Sequence, residues 1–266
     1  MPNRQVIQSS SLESEIALII KADPVHIRSE IAGIRRILDY DLKFKPSQVI
    51  HDAYYDTKAN FLRERRISLR IRRMDDTLLI STKSDIRRVA GNLIQRREME
   101  GTWSYNSIRQ LARNLKLKVP TMSVSQFKRI SVSKALAAFG LSIIQERRTQ
   151  RNARNIMIRG KTPTPILAEL AIDYVTYIFG DTKVGLSEIE IEAKAPRALG
   201  RVREIADAFV LRYQPSLEQW FHGKFVTGLA MQRLLKTRAL QNHLVHGEVD
   251  ADAFELIDRA IRSRRF

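Results

Sequence analysis

The chain has 266 residues, 44% of them hydrophobic, enough to bury a substantial core in one large or two small domains. Its 46 Lys and Arg against 29 Asp and Glu leave a net charge of +17, which favours anionic partners: nucleotides, polyphosphate, nucleic acid or acidic lipid. The lack of cysteine excludes disulfides, thiolate metal sites and cysteine nucleophiles, so the metals to expect are those that oxygen ligands hold.

Residues 1–11 lack the apolar run of a signal peptide and read as a short flexible tail. No segment approaches the roughly 20 apolar residues that cross a bilayer, so a cytoplasmic protein without membrane contact is expected. Residues 12–20 and 49–57 alternate like strands, and between them Ile27, Ile31, Ile34 and Ile37 recur at helical spacing after Asp23-Pro24. Strands at 67–73, 77–83 and 92–100 follow, parted by Met74-Asp-Asp-Thr77 and a loop around Gly91, and such short connections imply antiparallel neighbours. From about 104 to 139 helical periodicity returns, with Pro120 between two helices. A second strand group spans 142–150, 153–159, 166–174 and 186–194, punctuated by Gly160, Pro163-Thr-Pro165 and Gly180-Asp181. Beyond Pro196 the chain reads helical over Leu199–Tyr213, Gln219 to about Arg238, and Ala251–Arg264.

Residues two apart on a strand share a face. Glu13 and Glu15, and again Glu188, Glu190 and Glu192, therefore line one side of their strands with apolar neighbours on the other. Arg70 and Arg72 share a face, Lys83 ends its strand, and Arg96 shares a face with Glu98 and Glu100. Glu169 and Asp173 share a face in the second group. Of Arg147, Arg148 and Arg151 at most two can point the same way, and a one-residue slip exchanges them. Both an open sheet with one wet face and a barrel with its charged face inside fit this alternation. Closure removes the edges, and outer helices then account for the apolar outward face. The expected fold is α+β, a closed antiparallel barrel of about eight strands with helices outside. Residues 12–195 would form it, and the helical region 196–266 would pack on or beside it. Carboxylates suit Mg²⁺ or Mn²⁺ and guanidinium forks hold phosphate oxygens, so both sets facing one cavity would make a metal and polyphosphate site.

The ordered segments Glu13-Ser-Glu15, Tyr54-Tyr-Asp-Thr57, Leu62, Ser68-Leu-Arg70-Ile-Arg72, Ser81-Thr-Lys83, Arg96-Arg-Glu98, Ala168-Glu-Leu-Ala-Ile-Asp173 and Ser187-Glu-Ile-Glu-Ile-Glu-Ala-Lys194 resemble the CYTH domain of the triphosphate tunnel metalloenzymes. The resemblance implies a tunnel open at both ends and metal-dependent hydrolysis of a triphosphate, inorganic triphosphate first, then thiamine or nucleoside triphosphates. It assigns Glu13, Glu15 and Lys83 to catalysis. It assigns Arg70, Arg72, Lys83, Arg96, Arg148 and Arg151 to phosphate, and Glu13, Glu15, Asp173, Glu188, Glu190 and Glu192 to Mg²⁺ or Mn²⁺.

Two positions depart from the pattern. The family's opening motif is Glu-x-Glu-x-Lys, and Ala17 stands in the lysine position; Lys21 lies too far along the strand to replace it. His222-Gly-Lys224-Phe-Val-Thr-Gly228-Leu only partly follows a Ser-Lys-x-x-x-Gly-Leu segment of relatives, and of it Lys224 alone is carried over. A non-hydrolytic module for polyphosphate or a phosphorylated ligand is therefore one alternative, with Ala17→Lys expected to raise turnover. An adenylate cyclase is another. Nucleic acid is disfavoured, because the basic residues that can be placed lie on strands facing the lumen. The oligomeric state is open, a homodimer being one option.

Overall fold

The computed structural model describes residue 7 and residues 11–84, 87–89, 93–160 and 165–263. The first half comprises β1 (Ser11–Ile20), α1 (Pro24–Gly33), β2 (Arg36–Ile37), β3 (Tyr40–Phe44), β4 (Gln48–Thr57), α2 (Phe61–Glu64), β5 (Ser68–Met74), β6 (Thr77–Lys83), β7 (Arg87–Val89) and β8 (Leu93–Thr102). Three helices follow, α3 (Tyr105–Asn114), α4 (Val124–Arg129) and α5 (Val132–Ala138), then β9 (Leu141–Ile158), β10 (Ile166–Phe179) and β11 (Thr182–Ala193). The remainder is α6 (Leu199–Tyr213), β12 (Leu217–Trp220), α7 (Lys224–Lys236), β13 (Leu244–Val245), β14 (Glu248–Val249) and α8 (Ala251–Arg262).

Eight strands close a ring in the order β1, β8, β6, β5, β4, β9, β10, β11 and back to β1, every neighbouring pair antiparallel. Closure leaves no free edge among them. The outward faces are apolar, and helices cover them. Ile16, Leu18, Leu170, Ile172, Ile189 and Ile191 pack under Val202, Ile205 and Phe209 of α6 and Ile27 and Ile31 of α1. Leu69, Ile71 and Ile80 pack under α2 and α3–α5 through Leu62, Ile108, Leu111 and Leu136. Ser104 caps α3 by accepting from the Ser107 amide, and Ser123 and Gln126 form a reciprocal capping box on α4.

Several boundaries differ from expectation, each because tertiary pairing overrides local composition. The strands expected at 142–150 and 153–159 are one strand, β9, long enough to pair with β4, β10 and β3. The helix expected to reach Leu38 ends at Gly33. Leu38 instead takes a left-handed backbone (φ 49°) in the turn of the β2–β3 hairpin, which buries Ile37, Tyr40 and Leu42. The helix expected from Gln219 starts at Lys224, since Leu217–Trp220 pairs with β1. Of the expected N-terminal tail, residues 1–6 and 8–10 lie outside the described residues. Among the described residues no helix is long and apolar enough to cross a membrane.

Candidate active site

Antiparallel register decides which side chains face inward, and it sorts them by sign. Strands β10, β11 and β1 are adjacent; Glu169 lies opposite Glu192, Asp173 opposite Glu188, Ala171 and Ala17 opposite Glu190, with Glu13 and Glu15 on the same wall. The other five strands place Arg151 and Arg147 (β9), Arg70 and Arg72 (β5), Lys83 (β6) and Arg96 (β8) around the rest of the lumen. A cavity of about 530 Å³ lies between the two walls.

On the basic wall one carboxylate organises three guanidiniums. Asp52, fully buried, accepts from Arg72 Nε and Nη2 at 2.8 and 2.9 Å and from Arg147 Nε and Nη2 at 3.1 and 2.7 Å, with Arg70 Nη1 at 3.8 Å. Burial opposes its charge, but Arg70, Arg72 and Arg147 hold its carboxyl well below the usual range. The triad is thereby fixed in place, and Arg70 is further tied to Glu98 at 3.1 Å and to Glu100 at 3.6 Å. Nearer the mouth, Lys83 Nζ donates to Glu13 at 2.6 Å, and Arg96 bridges Glu13 (3.1 Å) and Glu15 (2.5 Å).

The acidic wall is held by Arg151, which forks onto Asp173 at 2.8 and 2.6 Å and reaches Glu190 at 2.9 Å, and by Lys224. The Lys224 ammonium lies 2.5 Å from Glu190, 2.9 Å from Glu188 and 3.3 Å from Asp173. It comes from outside the barrel, at the start of α7, and that helix seals one end. The Tyr54 ring stacks on Phe225 at 4.6 Å, Gln145 Nε2 donates to the Phe225 carbonyl, and the Tyr177 hydroxyl donates to the Lys224 carbonyl. Below them Ala17, Ile19, Val175, Val184 and Leu186 fill the lumen against Trp220, Met231, Phe254 and Ile257. The expected tunnel open at both ends is therefore a one-ended pocket.

Gly228 permits this seal. A Cβ there would lie 2.6 Å from Tyr177 Cε1 and closer still to Gln145 Nε2, so only glycine lets α7 approach. Gly228→Val should displace α7 and withdraw Lys224 with it, destabilising the protein by roughly 1–3 kcal/mol as overpacking does. A thermal melt unchanged from the parent would refute that seating.

Burial and paired carboxylates divide the proton affinities. Burial and the hydrogen bond to Glu13 push Glu98 up to about 7, whereas that bond, with Lys83 and Arg96, overcomes burial to hold Glu13 well below its ordinary value. Burial likewise pushes Glu188 up to about 7 despite Lys224, while Lys224 and Arg151 keep Glu190 well below. A carboxyl whose native affinity is raised holds its proton between about pH 4.5 and about 7 when the unfolded chain has lost it, so its contribution to stability falls as pH rises through that window. Glu188→Gln should therefore flatten the decline of melting temperature between those limits. A slope identical to the parent's would contradict the assignment.

Of the residues singled out from sequence, Glu13, Glu15, Arg70, Arg72, Lys83, Arg96, Arg151, Glu190 and Glu192 line this one cavity, and Asp173 and Glu188 are buried against its Arg151 and Lys224. Arg148 does not. It lies opposite Thr176 and His51 on the outward face and is exposed, because the register of β9 turns Arg147 and Arg151 inward instead. Lys21 pairs with Glu218 at 2.9 Å, away from the site. Sequence reasoning missed Asp52, whose signal was its inward parity with Tyr54, and Phe225, for which no local signal exists.

Among the described residues no three carboxylates, with or without histidine, already stand in a metal-binding group, since most are engaged by Arg or Lys. The donor set nonetheless fits a hard divalent cation: Glu188 Oε2 is buried without a hydrogen-bond partner, Glu190 lies two residues along the same strand, and Glu15 faces Glu192 from the neighbouring strand. Arg147 Nη1 is likewise buried without a partner on the opposite wall.

Comparison with known proteins agrees with this architecture. A Hippeastrum protein assigned as an adenylyl cyclase, in which a dominant triphosphatase activity is described, is 19% identical, with a TM-score of 0.53 over 83% of this chain and 96% of that one. An adenylate cyclase candidate from Bacillus halodurans is 16% identical (TM-score 0.45; 82% and 97% covered), and the capping-enzyme triphosphatase of Mimivirus 12% (0.39; 76% and 89%). No curated protein matches. A family model described as the CYTH domain matches residues 22–214, beginning just past the acidic pair of β1 and ending at the close of α6. With a match over most of its length, and with β1 just outside the match completing the closed charged barrel, the chain belongs to the CYTH domain family.

Proposed function

We propose that the protein is a metal-dependent hydrolase of a triphosphate, with inorganic triphosphate the first candidate. The observation that carries this reading is one cavity in which Arg70, Arg72, Lys83, Arg96, Arg147 and Arg151, with Glu98 and Glu100 interleaved, face the carboxylates of β1, β10 and β11. Such a site complements a polyanion that brings its own cations. Glu15, Glu188 and Glu190 would hold Mg²⁺ or Mn²⁺, with Glu13, Asp173 and Glu192 beside them. When bound, the cation supplies charge neutralisation at the phosphate oxygens.

The protein's own groups do the positioning. Arg70, Arg72 and Arg147, locked by Asp52, meet the phosphate chain as a rigid cluster, and Arg96, Arg151 and Lys83 reach it from the flanks. Glu13, held ionised against its burial by Glu98, Lys83 and Arg96, would accept a hydrogen bond from an attacking water. No protein nucleophile is required, in keeping with the lack of cysteine. The Lys224 ammonium at Glu190 supplies the cation absent at Ala17, which favours turnover over simple binding.

Phosphate release from inorganic triphosphate, thiamine triphosphate and ATP with Mg²⁺ or Mn²⁺ tests the proposal. Glu190→Gln should lower turnover about a hundredfold or more. Tight calorimetric binding of triphosphate with no phosphate released would leave a binding module, and cyclic AMP from ATP would leave a cyclase.

A further inference from the structure

The pocket does not account for the charge of +17, because its eight arginines and lysines are nearly balanced by seven carboxylates. The excess lies outside, and one part of the surface carries it without compensation. Residues 101–145, which contain α3–α5, include no Asp or Glu. Arg113, Lys116, Lys118, Lys128, Arg129 and Lys134 are all exposed there. None of them has an ion pair among the described residues. The apolar sides of these helices face the barrel through Ile108, Leu111, Phe127 and Leu136, so their exposed basic side chains occupy the outer side, joined by Lys116 and Lys118 from the loop between α3 and α4. Glu146 of β9 shares a hollow with Val132 and Ser133 at the edge of α5.

We infer that the outer face of α3–α5 is a docking surface for nucleic acid, held through its phosphates. Charge complementarity selects a polyanion, and the composition of the face selects the kind. Tyr105, Phe127 and Phe139 are buried and Trp103 is tucked against Phe127, so no exposed ring can stack on unpaired bases. Val124 is the one large apolar side chain exposed on these helices, which leaves nothing to insert into a lipid surface. What remains is a field of cations among Asn106, Gln110, Asn114 and Ser125, suited to the backbone of a duplex read without sequence preference. The surface is independent of the triphosphate reading, since its residues do not line the pocket.

The test uses the full chain and a fluorescently labelled 20-base-pair RNA duplex with 5′-hydroxyl ends, which offers the pocket no triphosphate. Anisotropy titrations should show micromolar binding at 50 mM salt that weakens steeply by 200 mM. Lys116→Glu/Lys118→Glu/Lys128→Glu/Arg129→Glu should weaken it at least about tenfold and make the log–log salt slope shallower by about three. The milder Lys→Gln and Arg→Gln set should fall between, and both sets should keep the parent's melting temperature. An equal charge change just before α6, on α6 and on α7 (Arg197, Arg203, Arg233 and Lys236 to Glu) should leave most of the binding intact. Equal losses from the control set, no duplex binding by the parent, or binding to phosphatidylglycerol vesicles in preference to the duplex would each overturn the inference.

Discussion

Asp52→Asn should be the most damaging single change in the barrel. The carboxylate accepts both forks from Arg72 and Arg147 and faces Arg70, so its loss leaves three guanidiniums crowded in a buried site with nothing between them. Breaking a buried ion pair from one side costs about 3–5 kcal/mol, which for a chain of this size lowers the melting temperature by roughly 6–15 °C. The distinguishing feature is rescue. An anion in the pocket can take over part of the carboxylate's work, so added triphosphate should raise the melting temperature of Asp52→Asn by more than it raises the parent's. A variant that melts within about 2 °C of the parent would show that the three arginines do not depend on Asp52.

Lys224→Met should abolish most turnover while sparing the strands that make the pocket. Its ammonium touches Glu188, Glu190 and Asp173, and the burial that disfavours it is outweighed by these three carboxylates, which raise its proton affinity. Removing it leaves them in mutual repulsion, with a loss of at least about a hundredfold in turnover as for other preorganised charges. The structure also reverses the expectation for Ala17→Lys. Ala17 is 2% exposed, opposite Glu190 and beside Trp220, and Lys224 already serves that carboxylate. A second ammonium there should destabilise the parent, yet restore activity in the Lys224→Met background. A rise in turnover from Ala17→Lys alone would mean that Lys224 does not fill this role.

The barrel was legible because two-residue alternation is a local property. Glu188, Glu190 and Glu192 must share a face whatever their strand pairs with, and the same holds for Arg70 with Arg72 and for Glu13 with Glu15. The choice between Arg147 and Arg148 was not legible. Nothing in Gln145-Glu-Arg-Arg-Thr-Gln-Arg151 fixes which parity points inward, and that was decided when Tyr177 and Asp52 became the cross-strand neighbours of Arg147.

Composition, alternation and the order of charged segments thus determined strands with one charged face, clothed in helices, and the pairing of β1 with β11 decided that they close into a barrel. Three things were left to the tertiary structure: the sealing of one end, the docking of Lys224 on Glu188, Glu190 and Asp173, and the location of the surplus positive charge. Each depends on contacts across long stretches of chain, Lys224 with Glu188, Gly228 with Tyr177, and α3–α5 with β5 and β6, which no local pattern encodes. A strand's period is written in adjacent residues, but the approach of a distant helix is settled only by which packing buries the most surface without clash.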